Sequence, residues 1–261
     1  MLKTKFRGKI RLLRISILVF TVMLQLAFCW TPAFSRSSTE YIAGTYLGQP
    51  WISSPLAENS SPGFDCTTYV EKVLSERHEN PDAALDLIRY RDGMAGFFNR
   101  NHFMEEMWIP NAQKHGFIAA VTLPGAAKSL MKVDLAEWYR SNPEIIQKDE
   151  AYYHAANSHK RFSASISYVP AGLIDEKLLE ALPGEVVVFI MKRYPKPPYR
   201  WLLNKNAVMV THMGLLFGGC HMYHASSLRK EVIMEDFLGY LRANRSVYGV
   251  AFYEITDQNS L

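Results

Sequence analysis

The chain has 261 residues, with 48% hydrophobic and 13% aromatic content, 15 Gly, 13 Pro and 3 Cys. Those proportions exclude a disordered, collagenous or disulfide-framework protein, and the length allows one large domain or two small ones. The formal charge of +4 is local, because Lys3, Lys5, Arg7, Lys9, Arg11 and Arg14 precede every acidic residue. Past residue 35 the balance is slightly acidic, which leaves no case for a nucleic-acid partner.

In chain order, the basic start is followed by an apolar run from Ile15 to Trp30 and then Ala33-Phe34-Ser35. That layout predicts a secretory signal over residues 1–35. The run is shorter than the ~20 residues that span a bilayer. The expectation is an exported protein with no stable membrane insertion once the signal is removed, an uncleaved anchor being the alternative. A single domain is expected over 36–261. Thr39 to Pro62 reads as loop, and a helix starts at Asp65, with Tyr69, Val70, Val73 and Leu74 inward and Glu71, Lys72 and Glu76 outward. Further helices are predicted at about 82–90 and 126–140. Strands are predicted over 185–191 and 207–217, with a turn at Gly218-Gly219 and a return strand from Cys220 to Ser226. A short helix near 234–243 and a last strand, 248–255, complete an α+β fold.

Cys66 stands in the first turn of the helix that Asp65 opens. There the helix dipole favours thiolate, and unpaired backbone N–H groups can receive an oxyanion. An inert, buried Cys is the competing reading. Val210-Thr211-His212-Met213-Gly214 places an imidazole on one strand and Met222-Tyr223-His224 another on the next. If the connecting loop has an odd number of residues, the two histidines share a face and His212 stands directly opposite His224. A two-residue Gly218-Gly219 turn would separate them. The first register makes His212 a general base for Cys66, oriented by His224. In the second, both are ordinary strand residues. A zinc site around Cys220, His221, His224 and His212 is disfavoured, since on a strand His221 and His224 point to opposite faces. A Cys66–Cys220 disulfide tends to exclude the catalytic reading, because reach to His212 carries Cys66 too far from Cys220. Asp65, with Arg100, Asn101, His102 and Trp108, combines groups suited to sugar rings and acidic peptides, internal packing being the alternative role.

Asp65-Cys66-Thr67-Thr68-Tyr69-Val70, Pro183 to Phe189, His212 to Leu216 and His224-Ala225-Ser226 together resemble the NlpC/p60 superfamily of papain-like cell-wall hydrolases. Leu87 to Gly93, Arg100 to Phe103 and Ile166 to Pro170 resemble its N-acetylmuramoyl-L-alanine amidase-like branch, once described only as a domain of unknown function. The resemblance implies a papain-like α+β fold, with the Cys helix packed on an antiparallel sheet that carries the histidines. It further implies Cys66, His212 and His224 as catalytic residues and no cofactor. The implied substrate is a peptidoglycan fragment, cut in the periplasm between anhydro-N-acetylmuramic acid and L-alanine. A stem-peptide endopeptidase and a non-catalytic peptidoglycan-binding protein on the same scaffold are the alternatives.

Overall fold

Capping chemistry sets where the early helices begin. The computed structural model describes residues 37–53, 63–96, 99–141 and 161–256, and the signal segment predicted over 1–35 lies outside them. Helices α1 (Ser38–Thr45), α2 (Cys66–Ser75) and α3 (Pro81–Arg89) come first. Asp65 closes a capping box on α2: the Thr68 N–H donates to its carboxylate at 2.7 Å, and its own N–H donates to the Thr68 hydroxyl oxygen at 2.9 Å. Tyr69, Val70, Val73 and Leu74 are buried, as their spacing predicts. Glu71 departs from the outward position read for it and is 1% exposed. The cause is a set of buried partners on α3 and on a π-helical turn, Met104–Trp108, which runs directly into α4 (Ile109–Lys114).

The chain then turns largely to strands, in a mixed α+β fold whose strand pairs are all antiparallel. The main sheet has eight strands in the order β2-β5-β10-β6-β7-β8-β9, with β1 also paired to β10. They are β1 (Ile118–Ala120), β2 (Ala127–Lys128), β5 (Ser167–Pro170), β6 (Glu185–Tyr194), β7 (Ala207–Phe217), β8 (His221–Ser226), β9 (Glu231–Asp236) and β10 (Gly249–Ile255). A separate pair joins β3 (Met131–Asp134) to β4 (Arg161–Ala164). Two expected helices are therefore shortened. Over 126–140 only α5 (Leu135–Arg140) is helical, since Met131 and Val133 are buried while Lys132 is exposed, the alternation of a strand. Asp134, accepting from the Glu137 N–H at 3.0 Å, is where the helix starts. Near 234–243, β9 continues to Asp236 and α7 covers only Phe237–Ala243; α6 is the short Glu176–Glu180. Among the described residues no helix is long and apolar enough to cross a membrane.

Period-two alternation divides the sheet into two packed faces. Val187, Phe189, Met213, Leu215, Tyr223 and Ala225 share one core with Tyr69, Val70, Val73 and Leu74 of α2. Val186, Val188, Ile190, Leu216 and Met222 share another with Phe237 of α7. The β7–β8 hairpin pairs Phe217 with His221, so its loop is the three residues Gly218, Gly219 and Cys220. Gly218 and Gly219 have φ of 56° and 71°, a left-handed conformation that a Cβ would strain. This is an odd loop, but it begins one residue later than direct opposition of the histidines requires. Continuing the observed register sets Gly214 opposite His224, and His212 lies on the diagonal of the same face.

Gly214 is what lets the diagonal close. A Cβ there would come within 3.0 Å of the Tyr223 carbonyl oxygen and 3.1 Å of the His224 Cβ. Gly214→Ala should therefore lose about 1–3 kcal/mol of stability, the usual cost of an overpacked site. Urea unfolding monitored by circular dichroism measures it.

Candidate active site

The two histidines are joined edge to edge. Nε2 of His212 lies 2.7 Å from Nδ1 of His224, with the rings at 83°. Nε2 of His224, on a ring only 2% exposed, lies 2.6 Å from an Oε1 oxygen of Glu235 on β9. A carboxylate can only accept, so His224 holds its proton on Nε2 and presents Nδ1 as an acceptor. His212 must then donate through its own Nε2, which leaves Nδ1 as the basic nitrogen. Glu235 thus sets the tautomer of a ring it does not touch. It was not among the candidates drawn from the sequence, because residues near 234 were read as helix. Met222 pairs with Glu235 and His224 with Ile233, so strand alternation puts His224 and Glu235 on a common face.

Cys66 meets this chain where the hairpin opens. Pairing of β7 with β8 ends at Leu215↔Tyr223, and two residues further the Met213 backbone acts on the Cys66 sulfur, favouring its anion. The Thr67 side chain and the Cys66 backbone act in the same sense. Tyr240 of α7 borders the whole group: its ring stacks on His212 at 6.4 Å and meets His224 edge-on at 5.7 Å. Its hydroxyl is pushed up to about 12 by burial, then by the nearby Glu235 carboxylate and Cys66 sulfur.

The electrostatics differ from those of a thiolate primed by a helix dipole. Burial first, and the Asp65 carboxylate second, raise the Cys66 thiol from an ordinary 9.0 to about 11. The helix dipole, worth about 0.3–2 kcal/mol, acts in the opposite sense. Burial, with the neighbouring His224 and Lys192, lowers His212 to about 3. Both shifts favour a neutral thiol and a neutral imidazole at rest. Cys66 and Cys220 are not joined in a disulfide. Cys220 instead has its sulfur 3.7 Å from His221 Nδ1. Among the described residues no three His, Cys, Asp or Glu side chains converge as a metal-binding group.

The remaining candidates divide between surface and core. Asp65 is half-buried, and its carboxyl is held above the usual range, by burial most of all. Arg100 lies 3.8 Å from Glu71 and acts electrostatically on Asp65. His102 packs on the half-buried Trp138 at 5.0 Å. Asn101 and Trp108, by contrast, are structural. The Asn101 amide donates to the Ile88 carbonyl at 3.1 Å, and Trp108 is fully buried with its indole N–H donating to Glu71 at 3.1 Å. Arg89 pairs with the same carboxylate at 2.9 Å. A buried glutamate needs such partners, and these two recruited Trp108 into the core rather than the cleft.

A thiol at the start of a helix that packs against the two histidine-bearing strands is an arrangement compatible with nucleophilic acyl transfer. The chain belongs to the AmiA-like family, described as N-acetylmuramoyl-L-alanine amidase-like, whose model matches residues 34–250. No match is found among curated proteins. Among solved structures, a Legionella pneumophila protein of the DUF1460 family is similar in fold, with a TM-score of 0.69 at 20% identity over 85% of this chain and 89% of that one. An N-acetylmuramoyl-L-alanine amidase from Bacteroides uniformis gives a TM-score of 0.59 at 21% identity, over 83% and 97% of the respective chains. A candidate xylanase from Bacteroides fragilis gives 0.59 at 22% identity, over 82% and 99%. At these identities the likenesses speak for the fold.

The neutral resting pair has a chemical signature. Alkylation of Cys66 by iodoacetamide should keep accelerating as pH rises toward about 11. A stopped-flow or mass-resolved rate profile checks this; a plateau reached by neutral pH would indicate a pre-formed thiolate instead.

Proposed function

We propose that the protein is an exported cysteine amidase of the papain-like NlpC/p60 type. It would hydrolyse the amide between anhydro-N-acetylmuramic acid and L-alanine in peptidoglycan fragments, acting in the periplasm. The observation that carries this reading is the continuous chain His212–His224–Glu235, with Cys66 at the start of the helix packed against β7 and β8, in a member of an amidase-like family.

In this reading the Cys66 sulfur attacks the lactyl carbonyl carbon as its proton passes to Nδ1 of His212. The developing imidazolium is stabilised through His224 toward Glu235, so charge forms only when the substrate is in place. Backbone N–H groups near the sulfur, those of Cys66 and Met213, are available to the oxyanion. Collapse breaks the C–N bond, and the L-alanine nitrogen leaves with the proton from His212. Water then gives its proton to His212 and its oxygen to the thioester, releasing the muramoyl acid and restoring the thiol. Asp65, Arg100 and His102 are the side chains we assign to substrate contact, with Trp138 added as an aromatic face beside His102. The stem-peptide endopeptidase and the non-catalytic binder remain as the competing readings for the tests below.

Purified protein given anhydro-muropeptides should release free anhydro-disaccharide and an intact stem peptide, read by mass spectrometry. A shortened stem left on the sugar would identify an endopeptidase, and no product at all a binding protein. Cys66→Ala should abolish turnover while ligand still binds. Glu235→Ala should lower kcat about 10- to 100-fold with little change in KM. That is the effect of losing a charge-assisted hydrogen bond worth about 1.5–3 kcal/mol.

A further inference from the structure

A second buried carboxylate lies away from the reacting groups and touches the strand that carries His212. Strand β7 has one residue more than β6 at this point. Met191 pairs with Val210, Ile190 pairs with His212, and Thr211 is the extra, exposed residue of a β-bulge. The bulge resets the alternation of β7. Before it, Val208 and Val210 enter the core beneath α2; after it, Met213 and Leu215 do so. His212 is thereby turned to the opposite face, where it meets His224. Uninterrupted alternation would point His212 the same way as Val208 and Val210. The two apolar runs and the histidine pair can all be satisfied only with the extra residue in place.

A bulge takes a backbone donor out of the ladder, and in a core that donor needs an acceptor. The Val210 N–H donates to an Oε1 oxygen of Glu105 at 2.6 Å. Glu105 is 5% exposed and belongs to the π-helical turn Met104–Trp108. Such turns project side chains that a regular helix would direct elsewhere. The Glu105 backbone also favours the carboxylate form, and Tyr253 of β10 is a titratable neighbour, its hydroxyl held high partly by this carboxylate.

We infer that Glu105 is a positioning residue: its carboxylate pins the Val210–Thr211 bulge and so holds His212 on the face where it meets His224. The role given to His212 rests on the amidase reading; the placement of its ring does not. Burial raises the Glu105 carboxyl to about 7, against the lowering by the Val210 and Glu105 backbones, so the anchor changes charge near neutral pH. A carboxyl raised on folding favours the native state below its unfolded value, near 4.5, and loses that contribution as pH climbs through about 7.

The test compares Glu105→Gln, which keeps an acceptor without charge, with Glu105→Leu, which keeps bulk without an acceptor. Imidazole 15N resonances of His212 and His224 report ring placement whether or not any muropeptide is cleaved. Glu105→Leu should shift both resonances and, on a substrate that is turned over, lower kcat about tenfold or more at near-constant KM. Glu105→Gln should restore them while removing a titration step near pH 7 from the wild-type resonances and from its melting temperature. Unchanged resonances in folded Glu105→Leu overturn the inference. If that variant does not fold, Glu105→Asp takes its place, its shorter side chain withdrawing the acceptor from the Val210 N–H: unchanged resonances in folded Glu105→Asp overturn the inference equally. Absence of amidase activity alongside shifted resonances would sink the functional reading and leave this one standing.

Discussion

The site depends on how few protons a line of linked imidazole rings can hold. Each neutral imidazole has one N–H and one lone pair, so fixing one end of the His212–His224 pair fixes the other. Glu235 supplies that fixed end from β9, through a 2.6 Å contact with His224. Direction thus travels across three strands to reach Nδ1 of His212, although no formal charge need sit on either ring. The diagonal placement of the histidines and the absence of a side chain at Gly214 are what bring the rings within 2.7 Å.

A second line of polar contacts holds the nucleophile's helix. Glu71, a turn and a half along α2 from Cys66, accepts from Arg89 of α3 and from Trp108 of the π-helical turn. One carboxylate therefore ties together three elements whose apolar faces already pack. Buried ion pairs contribute little net stability against apolar substitutes, but they do constrain register. The arrangement keeps the Cys66 end of α2 at the mouth of the β7–β8 hairpin.

Much of this was legible from local patterns. The Asp65 cap, the apolar face of α2 and the long strands β6 and β7 follow from side-chain spacing and capping chemistry. The common face of His212 and His224 followed from their even separation of 12 positions, once an odd loop is granted. What escaped depends on distant partners. Glu71 looked solvent-facing because Arg89 and Trp108 lie 18 and 37 positions away. Asn101 and Trp108 have polar groups suited to a ligand, and only the folded chain shows these groups spent on Ile88 and Glu71. Glu235 and Tyr240 were hidden by reading β9 and α7 as one helix. The thiol's surroundings were legible only in part: the helix dipole is visible in a sequence, whereas the burial that opposes it is not.

That burial has a bearing on chemical durability. With the thiol raised above its ordinary value, the anion is scarcer than in an unshifted cysteine. The anion is the form that attacks peroxides and disulfides, so the shift slows both reactions at Cys66. In the oxidising surroundings proposed for this protein, the partial burial that favours the neutral thiol also slows its oxidation between turnovers.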